Sequence, residues 1–323
     1  MASPNIEEIV VTTLRNRSRK LADNASKNNA LLYRLRKKGN IRLFSGGQNI
    51  LQELEYNENS TFKRYSGYDE LNIQQSDVLS AAEFQIRQAA VAVVISGLEK
   101  LQNSGKEQMI DLLQARILNA EKTLVNNVAL DCYSDGTADG GKQIGGLQHL
   151  ISTTPSTGTV GGINRANFSF WRNIAFDCSS DGGAAMSSSN AQSYMNRTWV
   201  QTVCGPYKPD LIAADNNYWR FYLESLQAIQ RVGSDEMAQA GFMSLKYMTA
   251  DFVFDGGIGG GCGDNKMYFI NTDFLYFKVH RDCNFTVLDP TRFSTKQDAM
   301  VKLLGFAGNL TASGLRYQAV ITA

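Results

Sequence analysis

Over the first 45 residues the apolar positions fall at helical spacing: Ile6, Ile9, Val10 and Leu14, then Leu21, then Leu31, Leu32 and Leu35. The polar run Asp23-Asn-Ala-Ser-Lys-Asn-Asn29 divides them. The pattern predicts two short helices whose apolar stripe is too thin to bury a core of its own. Phe44-Ser-Gly-Gly47 then marks a turn. From 50 to 96 the period changes to two, and LQELEY, TFKRYSGYDELNI and AEFQIRQAAVAVVIS read as extended segments. Much of this stretch is polar on both faces, with charges at Glu53, Glu55, Glu58, Lys63, Arg64, Asp69 and Glu70. A two-stranded ribbon of that kind is marginal alone in water and needs a partner surface.

Residues 104–133 carry the clearest helical pattern. Ser104 and Glu107 have capping-box spacing, and Met109, Leu112, Leu113, Ile117, Ala120, Leu124 and Val128 mark one stripe. About 30 residues at 1.5 Å each span roughly 45 Å, which is long for a compact globule. Asp135-Gly-Thr-Ala-Asp-Gly-Gly141 ends the helix, and the apolar segment Ile144–Ile151 leads into a different region.

From about 145 to 288 helix and strand patterns alternate. Ser187–Val203 reads as a helix with Tyr194, Met195, Trp199 and Val203 on one face. Pro209–Ala214 reads as a short buried strand, followed by Asp215 as the cap of a helix through Tyr218, Phe221, Tyr222, Leu226 and Ile229. Tyr247–Phe254 and Met267–Val279 read as strands on either side of a glycine-rich loop. Strand patterns return at Ala299–Phe306 and Leu315–Ile321, with Gly308-Asn309 as a hairpin-like turn between them. There is no internal repeat, and the fold class is α+β.

Charge changes this picture. Residues 1–45 hold ten Lys/Arg against Glu7, Glu8 and Asp23, a balance of about +7, while the remainder has 22 against 28, or −6. A basic arm on a mildly acidic body fits nucleic acid, because phosphate contacts reward charge without a motif. It fits equally an arm docked on the acidic body of its own or a neighbouring subunit. The cysteines (Cys132, Cys178, Cys204, Cys262 and Cys283) are odd in number and include no C-x-x-C pair, so reduced thiols are expected, with neither a disulfide framework nor a zinc cluster. No secretory h-region opens the chain and no apolar run approaches membrane-spanning length, so a cytoplasmic location is expected and the N-x-S/T matches are read as chance.

Candidate chemistry is sparse. His149 sits in an apolar segment and reads as a core or turn histidine, and His280 ends an aromatic run and reads as a strand-end surface residue. No G-x-S-x-G is present. The stretch DGGIGGGCGD (255–264) concentrates six glycines, but their spacing is not G-x-G-x-x-G, no Gly-Lys-Ser/Thr follows, and the next residues read as a strand. A mobile strand-to-strand loop is the expectation, and a soluble nucleotide-dependent enzyme using Gly256–Gly263 is the alternative of a different class. No catalytic, cofactor-binding or metal site is expected.

A basic helical arm, a long ribbon, one long helix, an inserted α/β region and a return to strands follow one another along the chain. In that order it resembles the major capsid proteins of tailed bacteriophages. The patches "LYFKVHRDCNFTVLDP" and "QDAMVKLLGFAGNL" carry most of the likeness.

The resemblance implies an N-terminal arm at 1–45 and an extended loop at 46–95 that lies across an adjacent subunit. It implies a peripheral domain at 96–144 and 286–323, with its spine helix at 104–133, and an axial domain at 145–285. Arg15, Arg17, Arg19, Lys20, Arg34, Arg36, Lys37 and Lys38 would face packaged double-stranded DNA. Tyr56, Phe62, Lys63, Arg64, Tyr65 and Tyr68 would make the inter-subunit contacts of the loop. In cross-linking members a tip lysine joins an asparagine, a role open to Lys63 and Asn309.

The resemblance further implies a non-enzymatic shell of hexamers and pentamers in a virion assembled in the host bacterial cytoplasm. A portal protein at one vertex and decoration proteins are implied partners, with no membrane. Since no cleavable scaffolding segment precedes the arm and the chain opens on Met1, a separate scaffolding protein is expected too. An encapsulin nanocompartment of the same fold is the alternative, which the basic arm disfavours.

Overall fold

The structure, a computed structural model, describes residues 29–98, 106–226, 244–256, 260–293 and 299–323, the side chains of 106–115, 289–293 and 299–300 excepted. The first of the two expected short helices, with Arg15, Arg17, Arg19 and Lys20, lies outside these residues, as does Ser104.

The second short helix runs over Ala30–Lys37. Asn29 caps it: Oδ1 accepts from the Leu31 and Leu32 N–H groups at 2.8 and 3.3 Å, while Nδ2 donates to the Ala129 carbonyl at 2.9 Å. Leu31, Leu32 and Leu35 are buried, so the thin stripe borrows the core of the body.

Four strands follow: β1 (Ile41–Phe44), β2 (Asn49–Glu55), β3 (Leu79–Gln85) and β4 (Arg87–Ser96). The first and third extended segments are therefore strands, but TFKRYSGYDELNI is loop. Its period-two aromatics have no pairing partner to hold them in a ladder. The long helix runs over Lys106–Asp131 and buries Ile117, Ala120, Leu124, Val125 and Val128, the i, i+3, i+4 stripe that packing on a sheet requires.

The second half of the chain adds the two-residue strands β5 (Thr159–Val160) and β6 (Ile163–Asn164), then β7 (Ile174–Asp177) and β8 (Leu211–Ala214). After these come β9 (Ser244–Tyr247), β10 (Ala250–Phe254), β11 (Lys266–Ile270), β12 (Leu275–Phe293), β13 (Ala299–Ala312) and β14 (Ala319–Thr322).

These strands form two main sheets. One has the order β1-β12-β13-β4, and the other β7-β14-β11-β8-β10-β9. In the second sheet β8 is buried at every position. Leu211 and Ala213 face the cluster that includes the long helix, while Ile212 and Ala214 face helices over Ala191–Thr202 and Asn216–Ser225. A strand covered on both faces reads as a continuous apolar run.

Sheet membership moves the expected domain boundaries. β4 leaves the extended loop and pairs along β13, β12 joins the first sheet from Leu275, and β14 returns to the second sheet beside β7 and β11. Gly308-Asn309 is no turn: both lie inside β13, which is continuous from Ala299 to Ala312. The register explains Gly308. A Cβ there would stand 2.6 Å from the Lys278 carbonyl oxygen, where β12 begins the bulge between Val279 and Asn284. Phe285 lies in the next register shift, between Asn284 and Thr286, at φ +52°, and is buried 5.1 Å from the Phe306 ring. His280 is consequently mid-strand, edge-on to Phe44 at 5.2 Å, and not at a strand end. The expected Tyr247–Phe254 strand is a hairpin turning through Met248 at φ +51°, and Met267–Val279 is broken by a 3-10 turn at Thr272–Phe274.

Candidate inter-subunit surfaces

The ribbon of β2 and β3 is antiparallel from Asn49 opposite Gln85 to Glu55 opposite Leu79. Ile50, Gln52, Leu54, Ala82 and Phe84 turn inward, and Leu51, Glu53, Glu55, Leu79, Ala81 and Glu83 turn to solvent, as the pleat dictates. Gly161 fits against the inner face, where a Cβ would meet Ala82 and Phe84, and its carbonyl accepts from the Glu83 N–H at 2.9 Å. Tyr56 packs on Phe170 at 5.6 Å and is half-buried, so it holds the tip-side end of the paired strands to its own body.

Beyond Tyr56 the tip projects without core contacts. Phe62, Tyr65, Tyr68 and Ile73 are exposed, Tyr68 completely and Ile73 at 93%. The bonds within the tip are local: Lys63 Nζ donates to the Glu70 carbonyl at 3.0 Å, the Ser66 N–H to Asp69 Oδ2 at 3.0 Å, and Arg64 lies over the Phe62 ring at 5.6 Å. A run of exposed aromatics and aliphatics on a polar support has the character of a candidate interaction surface. From 49 to 85 the ribbon holds seven Asp/Glu and two Lys/Arg, so it is acidic.

Asn309 does not suit a cross-link. It is buried in β13, its Nδ2 donates to the Gln85 carbonyl at 2.8 Å, and its Oδ1 accepts from the Gly145 and Leu310 N–H groups at 3.0 and 2.9 Å. An amide so engaged, beneath the ribbon's end, is closed to an incoming lysine.

The basic arm divides in two. Arg34 Nε binds Asp210 Oδ2 at 2.8 Å and Nη1 binds Asp251 at 3.3 Å, while Lys38 Nζ lies 2.7 Å from Asp273 and 3.1 Å from Asp210. These two cations are held by the subunit's own carboxylates, which corrects their assignment to DNA. Arg36 and Lys37 stand on the exposed side of the helix. Burial alone would push the Asp210 carboxyl up, but the Thr272 N–H, Arg34 and Lys38 outweigh it and leave it below the ordinary range. A dock on the acidic body was one of the two readings of the arm; its partners were not named, although Asp210 just before a buried apolar strand was their signal.

The glycine loop is clamped where it is described. The Asp255 N–H donates to the Ala214 carbonyl at 3.1 Å, and the Asp255 carbonyl accepts from the Cys262 N–H at 2.8 Å. Asp255 Oδ2 accepts from the Tyr133 hydroxyl at 2.5 Å, at the end of the long helix. Burial pushes the Asp255 carboxyl up, partly offset by that bond. A Cβ at Gly256 would stand 2.8 Å from Asn216 N, one at Gly260 2.5 Å from the Gly256 carbonyl, and one at Gly261 inside the Tyr133 ring. These glycines permit close approach; Gly257, Ile258 and Gly259 lie outside the described residues.

The described flanks of the loop are thus packed against the body, and the nucleotide alternative weakens. The helix N-terminus beside Gly256 is already capped by Asp215, whose carboxylate accepts from the Tyr218 N–H at 2.9 Å and the Asn265 N–H at 2.7 Å. Gly261→Ala is expected to cost about 1–3 kcal/mol as overpacking. Gly263→Ala, whose Cβ meets nothing nearer than Lys266 Cδ at 3.6 Å, should be close to neutral. Chemical-denaturation midpoints of the two variants check the contrast.

His149 is half-buried in a short helical turn over Leu147–Leu150, with its pKa held down by burial and then by the charges of Arg165 and Arg87. Among the described residues no group of His, Cys, Asp and Glu is placed to hold a metal ion, and no helix is long and apolar enough to cross a membrane.

Two sheets, a long helix laid on the first, a docked arm helix and a projecting ribbon together make the fold of tailed-phage capsid proteins. A chain of the capsid asymmetric unit of cyanophage A-1(L) has a TM-score of 0.63 at 16% identity, over 88% of this chain and 90% of that one. A chain of the capsid of Myoviridae phage XM1 gives 0.51 at 13%, over 90% and 91%. One from Mycobacterium phage Bobi gives 0.52 at 7%, over 88% and 89%. No family model and no curated protein matches the sequence.

Proposed function

We propose that this chain is the major capsid protein of a tailed bacteriophage, a structural subunit without enzymatic activity that assembles as hexamers and pentamers into an icosahedral shell around double-stranded DNA. The observation that carries the reading is the capsid fold over about nine-tenths of the chain. The ribbon supports it: a subunit on its own has no use for a tip that leaves Phe62, Tyr65, Tyr68 and Ile73 in water.

In this reading Phe62, Lys63, Arg64, Tyr65 and Tyr68 lie on an adjacent subunit. Arg15, Arg17, Arg19, Lys20, Arg36 and Lys37 meet packaged DNA by charge alone, and that contact weakens as salt rises. A separate scaffolding protein, a portal at one vertex and decoration proteins complete the partners. The protein then resides in the virion after assembly in the host bacterial cytoplasm.

Electron microscopy of particles from cells expressing the chain with its neighbouring phage genes tests the reading. Closed shells holding nuclease-protected DNA are expected. A stable monomer that binds nucleotide would overturn the proposal, and small closed shells free of DNA would favour a cargo compartment.

A further inference from the structure

A hollow of about 300 Å³ opens where the turn after the long helix meets the small hairpin of β5 and β6; Arg165, Lys266, His149, Thr153, Thr159 and Asp135 are among its lining residues. Arg165 is 2% exposed. A guanidinium carries five N–H donors in a fixed fork. Here Nη2 donates to the Leu150 carbonyl, and Nε has no hydrogen-bond partner. Among the described residues no carboxylate forms an ion pair with Arg165. Burial pushes its pKa down to about 10, so it keeps its charge at neutral pH.

A buried cation with neither counter-charge nor a full set of acceptors is costly, and natural structures supply the missing partner. The carboxylate at the hollow does not do so. Asp135 Oδ1 accepts from the Thr137 N–H at 3.0 Å, and both oxygens accept from its hydroxyl at 2.8 Å. Burial first, and then the charge of Arg165, hold the neighbouring His149 below its ordinary range, against the opposing charge of Asp135. Lys266 adds a second cation, and Thr153 and Thr159 offer hydroxyls to a ligand's oxygens. Water occupies about 30 Å³ per molecule in the liquid, so this volume admits a tetrahedral oxyanion with its remaining waters.

We propose that the hollow lined by Arg165, Lys266, Thr153 and Thr159 is a binding site for a phosphoryl oxyanion. The anion supplies the counter-charge that the chain lacks there. The site stands independently of the shell reading, because it is built within one subunit. Its ligand is either free phosphate or a phosphate of a nucleic-acid backbone.

Titration calorimetry of the full chain with inorganic phosphate, at ionic strength held constant with sodium chloride, tests it. Saturable one-to-one binding is expected. Lys266→Gln, at a half-exposed position, should weaken it about tenfold, the usual scale for losing one charged hydrogen bond, with an unchanged melting temperature in phosphate-free buffer. Thr153→Val is a second variant, on the exposed rim, that leaves the buried Arg165 in place.

A short DNA duplex titrated into the same proteins separates the sources. If its affinity falls in step with that of phosphate in Lys266→Gln, the backbone is the ligand; if only phosphate binding falls, the free ion is. Absence of saturable phosphate binding, or binding of wild-type strength in both variants, would overturn the site.

Discussion

A chain whose residues 57–77 are replaced by a short Asn-Gly turn is expected to fold normally and to form no closed shells. The ends of the excised segment already meet: the Tyr56 N–H donates to the Val78 carbonyl at 3.1 Å, so a tight turn can join them without disturbing β2 or β3. Nothing in the core is lost, because the large apolar side chains of the tip are exposed and its hydrogen bonds are internal.

On the proposed reading, what is lost is the contact of the exposed Phe62, Tyr65, Tyr68 and Ile73 with an adjacent subunit. Large apolar side chains contribute roughly 1.5–3 kcal/mol each when fully buried. Four of them buried at one contact would together contribute about 6–12 kcal/mol, so their removal is expected to prevent assembly. Circular dichroism and the thermal midpoint should stay close to wild type while electron microscopy finds no shells. Tyr68→Ala, which removes one ring, should reduce the yield of shells without abolishing it. Normal shells from the deleted chain would mean that the ribbon tip is not the strap between subunits.

Local pattern made part of this architecture readable. The long helix, the helix at Ala30–Lys37, the Asp215 cap and the buried strand Leu211–Ala214 depend on neighbours close in sequence, and they stand within a few residues of the expected bounds. What stayed hidden depends on distant partners. Gly308 looks like a turn until β12 is laid against it and its bulge needs the space.

The same holds for Gly261, whose neighbour is Tyr133, 128 positions away by residue number. Met248 turns a hairpin without glycine or asparagine to announce it. The proposed DNA-facing role rests on charge alone, and charge in the sequence does not show that Arg34 is bound to Asp210 and Asp251. Arg165 gives no signal in sequence at all, since its isolation is a property of the folded surroundings.

Asp210→Ala is expected to loosen the arm from the body at a cost of about 3 kcal/mol. The carboxylate accepts from Arg34 Nε at 2.8 Å and from the Thr272 N–H and hydroxyl at 2.7 Å each, with Lys38 Nζ 3.1 Å away. Removing one partner of a buried ion pair typically costs about 3–5 kcal/mol, because the other is left uncompensated. Here Arg34 keeps Asp251, Lys38 keeps Asp273, and the Asp210 side chain is 15% exposed, which favours the lower end. At roughly 2 °C per kcal/mol for a chain of this size, the melting temperature should fall by roughly 6 °C.

The loss has a definite pH dependence. The folded-state pKa of Asp210 lies below its unfolded value, so its contribution is fully present above the unfolded pKa of about 3.9 and disappears as pH falls through the folded value. Wild type and variant should therefore differ by a constant amount from pH 5 to neutrality and converge in acid. Asp255, whose carboxyl burial pushes up, acts in the opposite sense: stability declines as pH rises through its raised pKa. It is common to both proteins and cancels in the difference. A variant as stable as wild type near neutrality would mean that Leu31, Leu32 and Leu35 hold the arm helix without help from charge.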